Sequence, residues 1–382
     1  MTEQLIDLAK PDFWLVLVCA ILLVSPLNTE RYKSFAWAVL NTGFIFVILN
    51  WHGLFIVMAI ITAYVLMQCV VGKFRKISIC LAAVTVFILF IIHKSPVLDD
   101  IAPLAPVKNI LSIVGFSYIA LRMVEMLRLV FEGRHPPPSI IAMINYLIPF
   151  HMLAAGPIQG YDDFVCKPVQ TRVLNFELTL QAIERIVSGL FKKFVLAYLI
   201  KEIFLTDFES SGLYFFIEVQ FFFLWLYLDF SAYSDIAVGV GRLLGIATPE
   251  NFNRPYLARN MIDFWERWHI SLSHFLRRNI FVPIQLALNR RDDAKRPLLS
   301  ASIAFSITFL LCGLWHGVTI NFMLWGAIHA FGLIITNSYK SFLKRKIGAQ
   351  GVKKYLANKP ILYFARFLTY EFVAFSLLAL FL

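Results

Sequence analysis

Charge is what this chain has least of. Asp, Glu, Lys and Arg make up 15% of its 382 residues, against about 25% in soluble domains. With 59% hydrophobic residues and a mean hydropathy of +0.72, a soluble globule would expose apolar surface it cannot hide, and intrinsic disorder is excluded by the same figures. Cysteine is scarce: Cys19, Cys69, Cys80, Cys166 and Cys312 form no CxxC pair, and four of them lie in or beside apolar runs. They read as packing residues rather than a disulfide scaffold. Ten-residue alternating segments, the mark of a membrane β-barrel, are missing. So are HExxH, a Cys/His quartet, GxxxxGK[ST] and GxGxxG, so a metal centre is a poor fit and a nucleotide-driven pump has no support. His269 and His274 stand five apart and share no helical face. No internal repeat is visible, which weighs against an inverted-repeat transporter.

What remains is long, continuous and apolar, and it predicts an all-α polytopic membrane protein. Candidate spans run Phe13–Leu27, Phe35–Asn50, Leu54–Val71, Ile77–Ile92, Ile110–Leu127 and Ile140–Leu153. They continue with a stretch around Phe194–Leu205, then Leu213–Leu228, Ala232–Ile246, Leu298–Leu314, Ile320–Ile335 and Ile361–Leu382. This gives about ten to twelve segments. Several are shorter than the roughly 20 residues that cross a bilayer, so some are expected to be re-entrant. Arg31, Lys33, Lys73, Arg75, Lys76, Arg128 and Arg134 fall on one side of this arrangement. The positive-inside rule makes that side cytoplasmic and the amino terminus external. Glu3 and Asp7 precede the first run, which has no basic leader and no A-x-A site; it reads as a retained helix. The formal net charge of +11 then reports cytoplasmic loops rather than nucleic-acid binding.

The most polar long stretch, Thr248 to Arg278, lies in the middle of this greasy chain, and ionisable groups inside a membrane domain are costly and usually functional. Asn251-Phe-Asn-Arg-Pro-Tyr256 opens it, with Pro255 favouring extended or turn geometry. Asp263-Phe-Trp-Glu-Arg-Trp-His-Ile-Ser-Leu-Ser273 follows. Read as a helix, it sets Phe264, Trp268, Ser271 and Leu272 on one face with Trp265 and His269 beside it. Such a segment fits either a cavity wall or a structural helix lying in the interface. A second cluster, Cys312-Gly-Leu-Trp-His-Gly317, sits in an apolar region from Ala301 to Thr336. A histidine at that depth is expected to be neutral and able to accept a proton. Gly313 and Gly317 are spaced for close helix packing, so His316 satisfying a structural hydrogen bond stays open beside the base. Cys312, four residues before His316, allows a Cys–His nucleophile pair, although a buried thiol at a helix contact is the commoner occupant. His329, in Trp325-Gly-Ala-Ile-His329, either lines the same cavity or is structural.

In order along the chain, Ala155-Gly-Pro-Ile158, Asp229-Phe-Ser-Ala-Tyr-Ser-Asp235, Glu250-Asn-Phe-Asn-Arg-Pro-Tyr256, the Asp263–Ser273 segment, Gly313-Leu-Trp-His-Gly317 and Trp325-Gly-Ala-Ile-His329 resemble the motifs of the membrane-bound O-acyltransferase (MBOAT) family. The resemblance is to its bacterial cell-envelope branch, which carries out D-alanyl transfer to teichoic acid and O-acetylation of alginate. The motif-bearing core spans about 155–330 of a single domain. Ala232 and Ala330 replace glycines of the family pattern, and Ala287-Leu-Asn-Arg-Arg291 stands where the alginate branch has GGNR.

The resemblance implies a ring of tilted, partly re-entrant helices around a membrane-crossing tunnel, with His316 catalytic and His269 its partner on the cytoplasmic side. It implies no tightly bound cofactor and a cytoplasmic thioester donor, a phosphopantetheine carrier protein or acyl-CoA. The acyl group, D-alanyl or acetyl, passes to a hydroxyl of an extracytoplasmic envelope polymer. Location in the bacterial inner membrane and a periplasmic or extracellular partner protein follow from the same branch. Asn253 and Arg254 are candidates for the donor phosphate. Trp265, Trp268, Ser271, Trp315 and His329 are further substrate-binding candidates. The basic loops Arg290–Arg296 and Lys340–Lys346 either dock an acidic carrier or report ordinary positive-inside charge. A transporter with a histidine proton relay and a non-catalytic scaffold for envelope-modifying partners are the alternatives.

Overall fold

The computed structural model describes residues 11–24, 27, 29–69, 73–96, 115–166, 176–205, 213–291 and 295–381. All regular structure among them is helical. Among the described residues, six helices are long and apolar enough to cross a membrane: Glu30–Leu49, Lys76–Lys94, Phe215–Leu244, Pro297–His316, Ile320–Ala357 and Lys359–Leu380. Pro11–Val24, Gly53–Gln68 and Ile140–Met152 are shorter apolar helices. The protein is a multi-pass all-α membrane protein.

Two expectations about the spans change, and a third lies partly outside the described residues. Leu213–Leu228 and Ala232–Ile246 are one helix, Leu213–Leu244, because Asp229 does not interrupt it: Lys193 donates to that carboxylate. The stretch around Phe194–Leu205 is not an independent span. It continues Phe176–Phe191 through a π-wound segment, Lys192–Ala197, into Tyr198–Phe204. Of Ile110–Leu127, residues 110–114 lie outside the described residues. The helix that follows, Phe116–Phe131, carries buried Arg122 and Glu125, which the apolar pattern does not single out.

The chain divides into two compact units. The first comprises Met1–Leu190 and Tyr233–Pro249. There Phe13 of α1 (Pro11–Val24) and Trp37 and Phe44 of α2 (Glu30–Leu49) pack their rings around Phe150 at centroid distances of 5.5–5.9 Å. The fully buried Arg122 guanidinium donates to the carbonyls of Leu147 (3.3 Å), Met152 (3.1 Å) and Pro157 (2.9 Å). It satisfies backbone acceptors that no secondary structure pairs, the condition under which a buried cation is tolerated. The Ala155–Ile158 motif is thus held by this arginine. Tyr233 supports the same segment by accepting from the Ala154 N–H at 3.2 Å, and Asp235 receives Arg185 at 2.6 Å.

The second unit, Phe191–Ala232 and Glu250–Leu382, holds every candidate site residue. We number its helices α3 (Met261–Trp265), α4 (Ile270–Leu276), α5 (Val282–Arg291), α6 (Pro297–His316), α7 (Ile320–Ala357) and α8 (Lys359–Ser376). Helices α6 and α7 form a tightly packed hairpin. Its closeness rests on two glycines: a Cβ on Gly313 would stand 2.2 Å from the Phe322 carbonyl oxygen, and one on Gly326 2.3 Å from that of Phe309. Gly313 therefore serves the close packing expected of it. Gly317 is closely approached as well, a Cβ there standing 2.5 Å from the Phe322 ring, and its extended backbone ends α6 immediately after His316.

Candidate active site

The site is built on a break in the polar stretch. A continuous helix through Asp263–Ser273 does not form. Helix α3 stops at Trp265, and His269 adopts φ +43°, ψ 52°, the left-handed region that non-glycine residues seldom occupy. The competing force is long-range backbone pairing with the 251–253 segment. The Asn253 N–H donates to the Arg267 carbonyl and the Ile270 N–H to the Asn251 carbonyl, each at 2.9 Å. These bonds replace the helical ones, and the predicted shared face of Phe264, Trp268, Ser271 and Leu272 dissolves.

Asn251 is the residue the sequence reading missed within a segment it had singled out. It is fully buried, and its Oδ1 accepts from the Ser271 hydroxyl (2.8 Å), the Ser271 N–H (3.2 Å) and His269 Nδ1 (3.1 Å). An amide oxygen only accepts, so Nδ1 carries the proton and Nε2 the lone pair. Burial, and then the nearby His316 imidazole, hold His269 well below the ordinary histidine pKa, so it is neutral. Asp263 anchors the turn from the other side. It accepts from the Arg259 N–H (2.9 Å), Arg259 Nε (3.1 Å) and Arg267 Nε (2.7 Å). Burial opposes its ionisation, but these bonds outweigh burial and keep the carboxyl below its usual range.

From His269 a chain of rings runs through the unit. His269 meets Trp315 edge-on at 6.3 Å, Trp315 meets His316 at 4.7 Å, His316 meets Trp325 at 5.2 Å, and Trp325 meets His329 at 4.4 Å. His316 is half-buried at the last position of α6 and stacks on Phe322 at 5.9 Å. It is less deep than its apolar surroundings suggest, because the chain turns at once into α7. His329 is 1% exposed and pairs through Nε2 with Ser376 Oγ at 2.9 Å. That hydroxyl donates to the Val373 carbonyl at 2.6 Å, so the imidazole donates from Nε2 and keeps its lone pair on Nδ1. Trp265 closes the cluster, 5.4 Å from His329 and 6.1 Å from Trp325.

The other candidates fall outside it. Trp268 packs among Phe223, Phe252 and Phe264, at 5.7, 5.1 and 5.7 Å, as an aromatic plug. Ser271 acts through Asn251. Asn253 and Arg254 are exposed, and neither side chain hydrogen-bonds to the histidines among the described residues. Cys312 is fully buried. Among the described residues, no group of three His, Cys, Asp or Glu side chains is placed to hold a metal ion.

A neutral imidazole at His269, with its tautomer fixed and joined through one indole to the imidazole of His316, suits proton transfer and carbonyl polarisation. The model of MBOAT, the membrane-bound O-acyltransferase family, matches residues 49–377. The chain belongs to that family and is an O-acyltransferase. It is 28% identical over 295 residues to the teichoic acid D-alanyltransferase of Bacillus subtilis (strain 168), covering 75% of this chain and 73% of that one. It is also 32% identical over 217 residues to the peptidoglycan O-acetyltransferase of Helicobacter pylori, covering 54% and 40% of the two chains. With the probable alginate O-acetylase of Pseudomonas aeruginosa, 30% identity extends over 232 residues, 59% of this chain and 43% of the other.

Proposed function

We propose that this protein moves an acyl group, D-alanyl or acetyl, from a cytoplasmic thioester donor to a hydroxyl of an extracytoplasmic cell-envelope polymer. It would do so from the bacterial inner membrane, beside a periplasmic or extracellular partner protein. The observation that carries this reading is the ring sequence His269–Trp315–His316, with the His269 tautomer fixed by Asn251. Support for the polymer class comes from the relatives' names, which specify teichoic acid, peptidoglycan and alginate.

In this reaction an imidazole nitrogen of His316 takes the proton from the acceptor hydroxyl as its oxygen attacks the thioester carbonyl. The tetrahedral intermediate collapses, the carbon–sulfur bond breaks, and the imidazolium returns its proton to the departing thiolate. General base catalysis supplies about 10²–10⁴-fold. The remainder comes from positioning and from exclusion of water. His269, on the donor side, orients the donor. The donor is a phosphopantetheine carrier protein or acyl-CoA, bound as a substrate, and the tunnel implied by the family would carry it to His316.

The test is the acyl-ester content of the envelope, released by mild base and identified by mass spectrometry. Wild type, a deletion and His316→Ala are compared at equal protein level. Loss of one released acid in both mutants supports the reading and names the acyl group. Full ester content in His316→Ala, with loss only in the deletion, overturns the histidine base and leaves a scaffold.

A further inference from the structure

A cavity of about 720 Å³ opens in the second unit among α3, α4, α6 and α7. Its lining combines two chemistries. The inner wall is apolar and aromatic, with Trp265, Phe305, Phe309 and Leu333. Phe281 packs its ring against Phe305, tilted at 4.5 Å, to extend that wall. Arg277, Lys340 and Lys344 also line it. All three are exposed, and among the described residues none is engaged in an ion pair. One lining carboxylate, Glu266, opposes these three cations.

The start of α6 adds to the same field. Pro297 and Leu298, its first two residues, line the cavity. A helix amino terminus favours an anion through its unpaired N–H groups and its dipole.

Leu298 also identifies the source of the ligand. It lines the cavity and is itself 38% exposed. In a membrane-crossing helix this is surface covered by acyl chains. At Leu298 the cavity thus reaches the exposed surface of a membrane-crossing helix, with cations where an apolar run ends and polar sequence begins. Basic pockets between membrane helices are built this way to hold anionic headgroups.

We propose that this cavity is a binding site for an anionic membrane phospholipid. Its phosphate lies among Arg277, Lys340 and Lys344, and an acyl chain runs along Phe305 and Phe309 toward Trp265. The site is separate from the histidine chemistry but shares the Trp265 wall with it, since Trp265 touches His329 on its other side.

The experiment is thermal unfolding and native mass spectrometry of the purified full-length protein in a nonionic detergent. Phosphatidylglycerol, phosphatidylcholine, inorganic phosphate and free phosphopantetheine are titrated separately. The expected result is a higher melting temperature and a retained lipid adduct with phosphatidylglycerol alone. Arg277→Gln, Lys340→Gln and Lys344→Gln should each weaken that binding by about fivefold. These exposed substitutions leave the lipid-free melting temperature in place, which separates loss of binding from loss of fold. Ala301→Leu, which fills the cavity, should abolish the adduct independently of charge. Equal response to phosphatidylglycerol and phosphatidylcholine overturns the proposal, as does an unchanged response in the triple glutamine variant. Response to inorganic phosphate without lipid selectivity reduces the site to an anion site and overturns the lipid. Protection by phosphopantetheine and not by phosphatidylglycerol would assign the cavity to the acyl donor instead.

Discussion

His269 Nδ1 and Asn251 Oδ1 lie 3.1 Å apart, with both residues buried and His269 in left-handed backbone geometry. This one bond fixes the imidazole tautomer, and the same oxygen holds Ser271 at the start of the following helix. A buried amide with three donors on one oxygen is a positioning device. It holds its neighbours in an arrangement that local propensity would not choose.

Asn251→Ala removes that oxygen and strands two buried N–H groups and a hydroxyl. The expected cost is about 1–3 kcal/mol for each buried donor left unpaired. Loss of His269 orientation should cut turnover by about a hundredfold. Thermal unfolding in detergent and released-ester measurement at equal protein level check the two effects separately. Unchanged turnover with reduced stability would make Asn251 purely structural.

Gly313→Ala places a methyl group 2.2 Å from the Phe322 carbonyl oxygen. Backbone cannot yield as a flexible side chain does, so α6 and α7 must separate, at about 1–3 kcal/mol. Because His316 ends α6 and faces Phe322 and Trp325 across that contact, activity should fall further than stability alone explains. Ala304→Gly, elsewhere on the same helix, is the comparison. It should cost about 1 kcal/mol of stability through helix propensity while leaving the turnover of the folded protein intact.

Asp263 carries a pH signature. Its folded carboxyl lies below the ordinary value of 3.8, so the unfolded chain binds the proton more tightly. The stabilisation it contributes is complete above the unfolded value and is lost as pH falls through the folded one. Asp263→Asn is therefore expected to cost about 2 kcal/mol at pH 7. The gap to wild type should narrow progressively below pH 3.8. A constant gap across that range would rule out the ionised carboxylate as the stabilising form.

His269 works in the opposite range. Its folded value is lowered from 6.5, so the unfolded chain takes up protons first, and acidification below about pH 6.5 destabilises the fold. His269→Gln keeps a polar side chain able to donate to Asn251 but removes the titration. Its unfolding midpoint should be flatter than that of wild type between pH 6.5 and pH 5, as followed by a thermal scan at each pH.

Trp315→Phe keeps an aromatic ring between the two histidines, whereas Trp315→Ala empties the space between them. The alanine variant should lose at least tenfold in released ester at equal expression, and the phenylalanine variant should retain most of it. Equal loss in both would assign the effect to the indole N–H rather than to the spacing of the rings.

The amino-acid sequence by itself determined the solvent, the class of fold and the histidines worth examining. Long apolar runs admit only helices in a bilayer, because every backbone group must be paired within its own segment. His269, His316 and His329 stood out because ionisable groups are costly in such surroundings. The tertiary structure decided the rest. That Leu213–Leu244 is one helix depends on Lys193 meeting Asp229, an ion pair 36 residues apart in the chain. That Asp263–Ser273 breaks at His269 depends on backbone bonds to Asn251 and Asn253, which no local periodicity encodes. Asn251 and Asn253 are chemically identical and two residues apart, yet one is buried at the histidine and the other exposed. Only the fold distinguishes them, because burial and partner choice are set by distant segments rather than by residue type.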